Sequence, residues 1–260
     1  MPFNIIKKLQ AVAPESRPNI LQEMYQKNLN FFSTHYPALQ HLIDSVHCPY
    51  HIEINERFLD IIDDRTGQVA HPEAGLDHFA QMLGNWTHEA WVDLFNFHIP
   101  LLHNYPKHYK IVQNFSCRLH QAFPELEQRL SGGRINLKTS DTGRKFSPPV
   151  VFLGIFHGLQ IANYLNNTDL TTALFIEPEP ERFECSCYFL YYTEIEQRTG
   201  ILYLAIGNDM TAGPIESFFS LVRITPLLWT RVLCGYPFEK ANFFIDSLKS
   251  LQATNTNLLY

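Results

Sequence analysis

The sequence contains no long hydrophobic run. No apolar stretch approaches the roughly 18–20 residues that cross a bilayer. The first residues, Met1 to Asn4, begin neither a long apolar segment nor a cleavage site, so we find no secretory signal. We therefore expect a cytoplasmic protein that does not bind a membrane.

Cysteine and clustered basic charge are also scarce. The five cysteines are irregularly spaced and odd in number, which is not typical of a disulfide framework. The formal net charge is −6, and the longest basic cluster, residues 134–145, is modest and interrupted. Nucleic-acid binding draws on clustered Lys and Arg. The charge therefore argues against nucleic acid as the main partner.

Several motifs of catalysis and metal binding are missing or incomplete. There is no Walker A sequence and no G-x-S-x-G. Asp141-Thr142-Gly143 copies an aspartic-protease tripeptide, but such proteases need two of these loops. His88-Glu89 lacks the second histidine of a zinc helix. We expect neither a metal nor a cofactor in this chain.

The composition is that of a folded protein, with 260 residues of which 45% are hydrophobic and 18% charged. Residues 1–131 predict a helical region with a small antiparallel β meander. The predicted helices are 18–33, 37–45 and several within 73–130, and the predicted strands are 50–54, 58–62 and 68–70. Residues 131–149 carry Gly, Ser, Thr, Lys and Pro without a period and predict a loop at a domain boundary.

Residues 149–260 alternate between strand and helix patterns, which indicates a Rossmann-like parallel sheet. The fold class is thus α/β. The predicted strands are 150–154, 172–177, 201–207 and a possible short one at 227–229. The predicted helices are 157–166, one bearing Phe183 to Tyr191, one beginning near Pro214, and 237–251.

Ligands of open α/β sheets bind beyond the carboxyl ends of the strands. Glu177 lies 23 residues after Gly154, close to the spacing of acidic residues that bind a ribose. His157 would begin a helix able to hold an anion. The candidate binding residues at these strand ends are Gly154, His157, Gly158, Glu177, Gly207 and Asp209.

The glycine pattern at the first of these ends has two interpretations. It is G-x-x-x-G, with Phe156 where a middle glycine would admit a pyrophosphate. The favoured interpretation is a structural turn in which Gly154 and Gly158 serve packing. The alternative is a small-molecule enzyme that binds a nucleotide or S-adenosylmethionine, with Glu177 on the ribose and Gly207 to Asp209 lining the pocket.

Other segments carry a family resemblance. Tyr25 to Phe32, followed by Tyr36-Pro37-Ala38-Leu39, resembles the aromatic "N-L-x-F-F … P-x-L" opening of the motility-associated factor (Maf) glycosyltransferases. Pro149 to Gly154 with Gly158, and Phe175 to Phe183, are similar to that family's "V-x-x-x-G-x-G-x-G" and "E-P-x-x-x-x-F" motifs. Residues 201–209 resemble its next strand.

The resemblance implies a function in the O-glycosylation of flagellin, the protein of the bacterial flagellum. The family attaches nonulosonic, sialic-acid-like sugars to Ser and Thr of flagellin from a cytidine monophosphate donor. The family's donor domain lies beyond the matched region, so we expect the nucleotide sugar to bind in a C-terminal domain outside this chain. We then expect residues 1–260 to recognise flagellin or to act as a scaffold, without a catalytic residue. A stand-alone protein-interaction module is a further alternative.

Overall fold

The computed structural model describes residues 5–54, 59–70, 145–147, 149–170, 172–207, 213–224 and 231–234. Three predicted features lie outside the described residues: the helices within 73–130, the strand at 227–229 and the helix at 237–251.

The chain begins with helices. They are α1 (Ile5–Gln10), a single 3-10 turn (Pro14–Ser16), α2 (Arg17–His35) and α3 (Pro37–Ser45). The helices predicted at 18–33 and 37–45 are confirmed as α2 and α3. Pro18 stands in the first turn of α2, and Pro37 begins α3 where α2 has ended, as the missing N–H of proline favours. The short helix α1 was not predicted.

A small antiparallel sheet follows, as the alternating pattern predicts. It contains β1 (Tyr50–Ile54), β2 (Leu59–Asp63) and β3 (Gln68–Val69), in that order. The register pairs Ile52 of β1 with Ile61 of β2. Gly67 adopts φ 65° in the turn before β3, a conformation that favours glycine.

The remaining described strands are all parallel. They are β4 (Lys145–Phe146), β5 (Val150–Leu153), β6 (Thr168–Asp169), β7 (Ala173–Glu177), β8 (Tyr203–Ile206) and β9 (Arg231–Cys234). Strands β4 and β6 form a separate pair. The prediction of a loop over 131–149 is therefore wrong at Lys145–Phe146. A two-residue strand carries no periodicity by which the sequence could reveal it.

The main sheet has the order β8-β7-β5-β9. Strand β7 pairs with one edge of β5, and β8 then pairs with the far edge of β7. Strand β9 pairs with the other edge of β5. This is the 3-2-1-4 order of a Rossmann-like sheet, and the predicted α/β class is confirmed. Strands β5 and β7 are buried along their whole length, which explains their continuous apolar runs.

In the part of the chain that the structure describes, four helices accompany this sheet: α4 (Leu159–Asn167), α5 (Pro180–Ser186), α6 (Tyr192–Thr199) and α7 (Gly213–Ile224). The predicted single helix through Phe183 and Tyr191 is wrong, because the chain leaves α5 at Cys187 and re-enters a helix at Tyr192. Within the described residues, no helix is both long and apolar enough to span a bilayer.

The break between α5 and α6 is held by Asn28 of α2. Its amide nitrogen donates to the carbonyl oxygens of Cys187 and Leu190, each at 2.7 Å. Its amide oxygen accepts the N–H of Tyr192 at 3.3 Å. Asn28 is buried, so no water replaces these bonds. One side chain therefore satisfies three main-chain groups that a helix break leaves open.

Helix α2 packs into two hydrophobic clusters. Phe31 and Phe32 join Phe152 and Phe175 of the parallel sheet in one of them. Leu21 and Met24 join Leu59 and Ile61 of the antiparallel sheet in the other. The helix thus connects the two sheets. The division into residues 1–131 and 149–260 stays a prediction.

The hydrogen bonds of Asn28 generate a testable prediction. Asn28→Ala should lower the free energy of unfolding by about 3 kcal/mol, because it leaves two buried carbonyls and one buried N–H without their partner. Urea unfolding followed by circular dichroism measures the change. Asn30→Ala, on the exposed face of the same helix, is the control and should cost less than about 0.5 kcal/mol. Equal effects of the two variants would contradict this role of Asn28.

Candidate functional site

The carboxyl ends of the parallel strands meet where the strand order reverses, between β5 and β9. The loop from β5 to α4 lies at this point. It carries three residues with positive φ: Gly154 at 86°, Phe156 at 45° and Gly158 at 70°. Phe156 is the one non-glycine residue with positive φ in the part of the chain that the structure describes. We call residues 154–158 the switch-point turn.

Glu177 ends β7 with its side chain fully buried against the switch-point turn. Its Oε2 accepts the N–H of Ile155 at 2.8 Å and that of Phe156 at 3.1 Å. Its Oε1 accepts the N–H of Glu179 at 3.2 Å. The carboxylate thus lies among main-chain donors, which is the surrounding a buried charge requires.

Phe156 directs its ring towards the antiparallel sheet. The ring meets Tyr50 of β1 edge-to-face at 5.3 Å between centroids, and the Arg182 guanidinium lies 4.9 Å from its centroid. A left-handed conformation costs a phenylalanine on the order of 1–3 kcal/mol, so the surrounding contacts must hold it. The side chain that replaces the missing middle glycine therefore connects the two sheets.

His157 and Gly158 complete the turn. The Nδ1 of His157 accepts the N–H of Leu159 at 3.0 Å, which places the proton of a neutral ring on Nε2. At Gly158, a Cβ atom would lie 2.3 Å from Cδ1 of Leu190. Gly158 thus provides both the positive φ and the close packing that the favoured sequence interpretation predicts.

The other predicted site residues lie at the neighbouring strand ends. The N–H of Gly154 donates to the carbonyl of Ile176, and that of Gly207 to the carbonyl of Glu177, both at 2.8 Å. Gly207 has φ 93°. The structure therefore brings Gly154, His157, Gly158, Glu177 and Gly207 to one edge of the sheet. Asp209 lies outside the described residues.

Three of the cysteines in the described segments have thiols whose pKa is raised by burial. Cys48, Cys185 and Cys187 are free thiols. Burial raises the pKa of Cys48 to about 11, and it raises the pKa of Cys185 and that of Cys187 well above the ordinary value. These three groups stay protonated near neutral pH. Within the described segments, no three His, Cys, Asp or Glu side chains are grouped so as to hold a metal.

A tyrosine–carboxyl pair lies between α2 and α5. The Tyr25 hydroxyl donates to Oε1 of Glu184 at 2.9 Å, and its ring stacks on Tyr188 at 4.5 Å. Burial raises the pKa of Tyr25 and also that of Glu184. Sequence reasoning missed this pair and missed Asn28, because their partners lie about 160 residues away in the chain.

Sequence reasoning found Glu177 but not its main-chain partners. The sequence signal for this arrangement was the bulky Phe156 in the turn together with the acidic Glu177 at the end of the next strand. In a glycine-rich turn the same backbone would face a ligand, whereas here the side chain of Phe156 packs on Tyr50.

Comparison with known proteins identifies a family and a solved structure that this chain is similar to. A family model described as the glycosyltransferase Maf N-terminal domain matches residues 24–218, about three quarters of the chain. The match includes the part of α2 from Met24 onwards, the antiparallel sheet and the switch-point turn. Among curated protein sequences, no significant match was found.

A solved structure has the same fold. It is that of a MAf glycosyltransferase from Magnetospirillum magneticum AMB-1, with a TM-score of 0.52 and 16% sequence identity. The similarity covers 88% of this chain and 34% of that protein. The chain thus spans about a third of the length of this relative, and at this identity the likeness concerns the fold alone.

The packing of Gly158 generates a second prediction. Gly158→Ala should lower the free energy of unfolding by roughly 3 kcal/mol, since it combines an unfavourable φ with a collision against Leu190. Denaturant unfolding provides the measurement.

The variant Gly200→Ala separates the cost of a positive φ from the cost of the collision with Leu190. Gly200 has φ 74° but open space around its Cβ position, so this variant should cost only about 1 kcal/mol. In Gly158→Ala combined with Leu190→Ala, the loss should be smaller than the sum of the single losses. A strictly additive double variant would contradict the collision.

Proposed function

The chain belongs to the glycosyltransferase Maf N-terminal domain family, and we propose that it recognises flagellin for O-glycosylation with nonulosonic, sialic-acid-like sugars. In this proposal the transfer takes place in the cytoplasm, before flagellin is exported. The observation that carries it is the family match over residues 24–218. In this proposal residues 1–260 do not themselves bind the donor, a cytidine monophosphate conjugate.

The geometry of the switch-point turn supports a binding role for this part over a catalytic one. The crevice in which a Rossmann-like sheet commonly binds a cofactor is lined here by a turn with internal partners. Glu177 accepts two of its N–H groups, and Leu190 packs on Gly158. Phe156 reaches across to Tyr50. These contacts fill the crevice with the chain's own side chains and join both sheets, which suits acceptor recognition or scaffolding.

A binding and transfer experiment tests the proposal. Purified residues 1–260 should bind monomeric flagellin in biolayer interferometry, and should transfer no sugar when a cytidine-linked nonulosonic acid is added. Mass spectrometry of the flagellin measures the transfer. Serum albumin is the control for unspecific binding. Absence of flagellin binding would contradict acceptor recognition, and sugar transfer by residues 1–260 alone would contradict the non-catalytic role.

One observation favours the alternative of a nucleotide- or S-adenosylmethionine-binding enzyme, namely the 3-2-1-4 strand order with its crevice between β5 and β9. A thermal-shift panel of nucleotides and S-adenosylmethionine separates the two functions. We expect no change in melting temperature, because Glu177 already binds the turn. A rise of several degrees that Glu177→Ala abolishes would favour the enzyme.

A further inference from the structure

The carboxylate of Glu177 occupies a place that is built for an anion. Its three described donors are main-chain N–H groups from two different loops, those of Ile155, Phe156 and Glu179. Consecutive main-chain N–H groups that converge beside a left-handed residue form an anion-binding concavity, and Phe156 provides that residue with φ 45°. The anion in this concavity is the chain's own Glu177 carboxylate.

Burial makes the carboxylate and the concavity depend on each other. Glu177 has no exposed surface, so its charge relies on these donors in place of water. The N–H of Ile155 in turn relies on its Oε2, since Ile155 is itself fully buried. The carboxylate and the concavity thus satisfy each other's hydrogen-bonding groups.

The same bonds hold Phe156 in its costly conformation. The hydrogen bond from its N–H fixes the backbone on one side. Its ring contacts with Tyr50 and Arg182 fix it on the other. Loss of the carboxylate would let the turn relax and would loosen the contact between the parallel sheet and β1.

We infer that the switch-point turn is an oxyanion site whose built-in ligand is the Glu177 carboxylate, and that a small free carboxylate binds there when this side chain is shortened. The chemical class of the ligand is a monocarboxylate. Acetate replaces the Cγ and carboxylate atoms that Glu177→Ala removes. The anion site of the turn is independent of flagellin binding.

The test is rescue of Glu177→Ala, in the full chain, by sodium acetate. The variant should melt about 5–10 °C below the wild type, because it removes the acceptor of the buried N–H of Ile155 and of the part-buried N–H groups of Phe156 and Glu179. Acetate at 200 mM, compared with sodium chloride at the same concentration, should restore about 3 °C. Acetamide has nearly the same shape without the charge and should restore less. The wild type should not respond.

Matched variants complete the test. Glu216→Ala removes an exposed acidic side chain from α7 and should show neither the loss nor the rescue. Glu177→Gln keeps one acceptor oxygen, so it should lose less than Glu177→Ala and should not respond to acetate. If Glu177→Ala does not fold, the yield of folded protein on refolding in acetate replaces the melting temperature. An acetate effect equal in Glu177→Ala and wild type, or a Glu177→Ala variant as stable as wild type, would overturn the inference.

Discussion

A carboxylate with no exposed surface is stable only where hydrogen-bond donors replace water, and the arrangement of this fold depends on how Glu177 meets that requirement. The donors are main-chain N–H groups of the turn that follows β5 and of the loop that follows β7. They hold Phe156 in a left-handed conformation, and its ring contacts the antiparallel sheet. The buried Glu177 carboxylate thus connects the centre of the parallel sheet, through Phe156, with the antiparallel sheet.

Asn28 meets a similar requirement for buried main-chain groups. It satisfies the main-chain groups at the break between α5 and α6, and it anchors α2 against both hydrophobic clusters. Two buried polar side chains therefore add hydrogen bonds to the hydrophobic clusters that hold α2, the small sheet and the parallel sheet together. Each is strongly coupled to its surroundings, because the partner left behind by a substitution would be a buried, unpaired main-chain group.

The sequence predicted those parts of the fold whose cause is local. The periodicity of α2 and α3, the alternation in β1 and the continuous apolar runs of β5 and β7 all derive from neighbouring residues. The break after Cys187 and the two-residue strand β4 depend on contacts with distant segments, so no local pattern contains them. The site shows the same division. Spacing identified Glu177 and Gly158, whereas the role of Phe156 depends on Tyr50, more than 100 residues earlier.

The central claim is that the switch-point turn is closed by the chain's own carboxylate and belongs to the framework of the domain. Amide hydrogen exchange, read residue by residue by NMR, tests this most directly. We predict that the N–H groups of Ile155 and Phe156 exchange as slowly as those of Phe175 and Ile176 in β7, and that cytidine monophosphate leaves their rates unchanged. Exchange of both groups at the rate of an unprotected amide, or protection that appears only with the nucleotide, would contradict the claim.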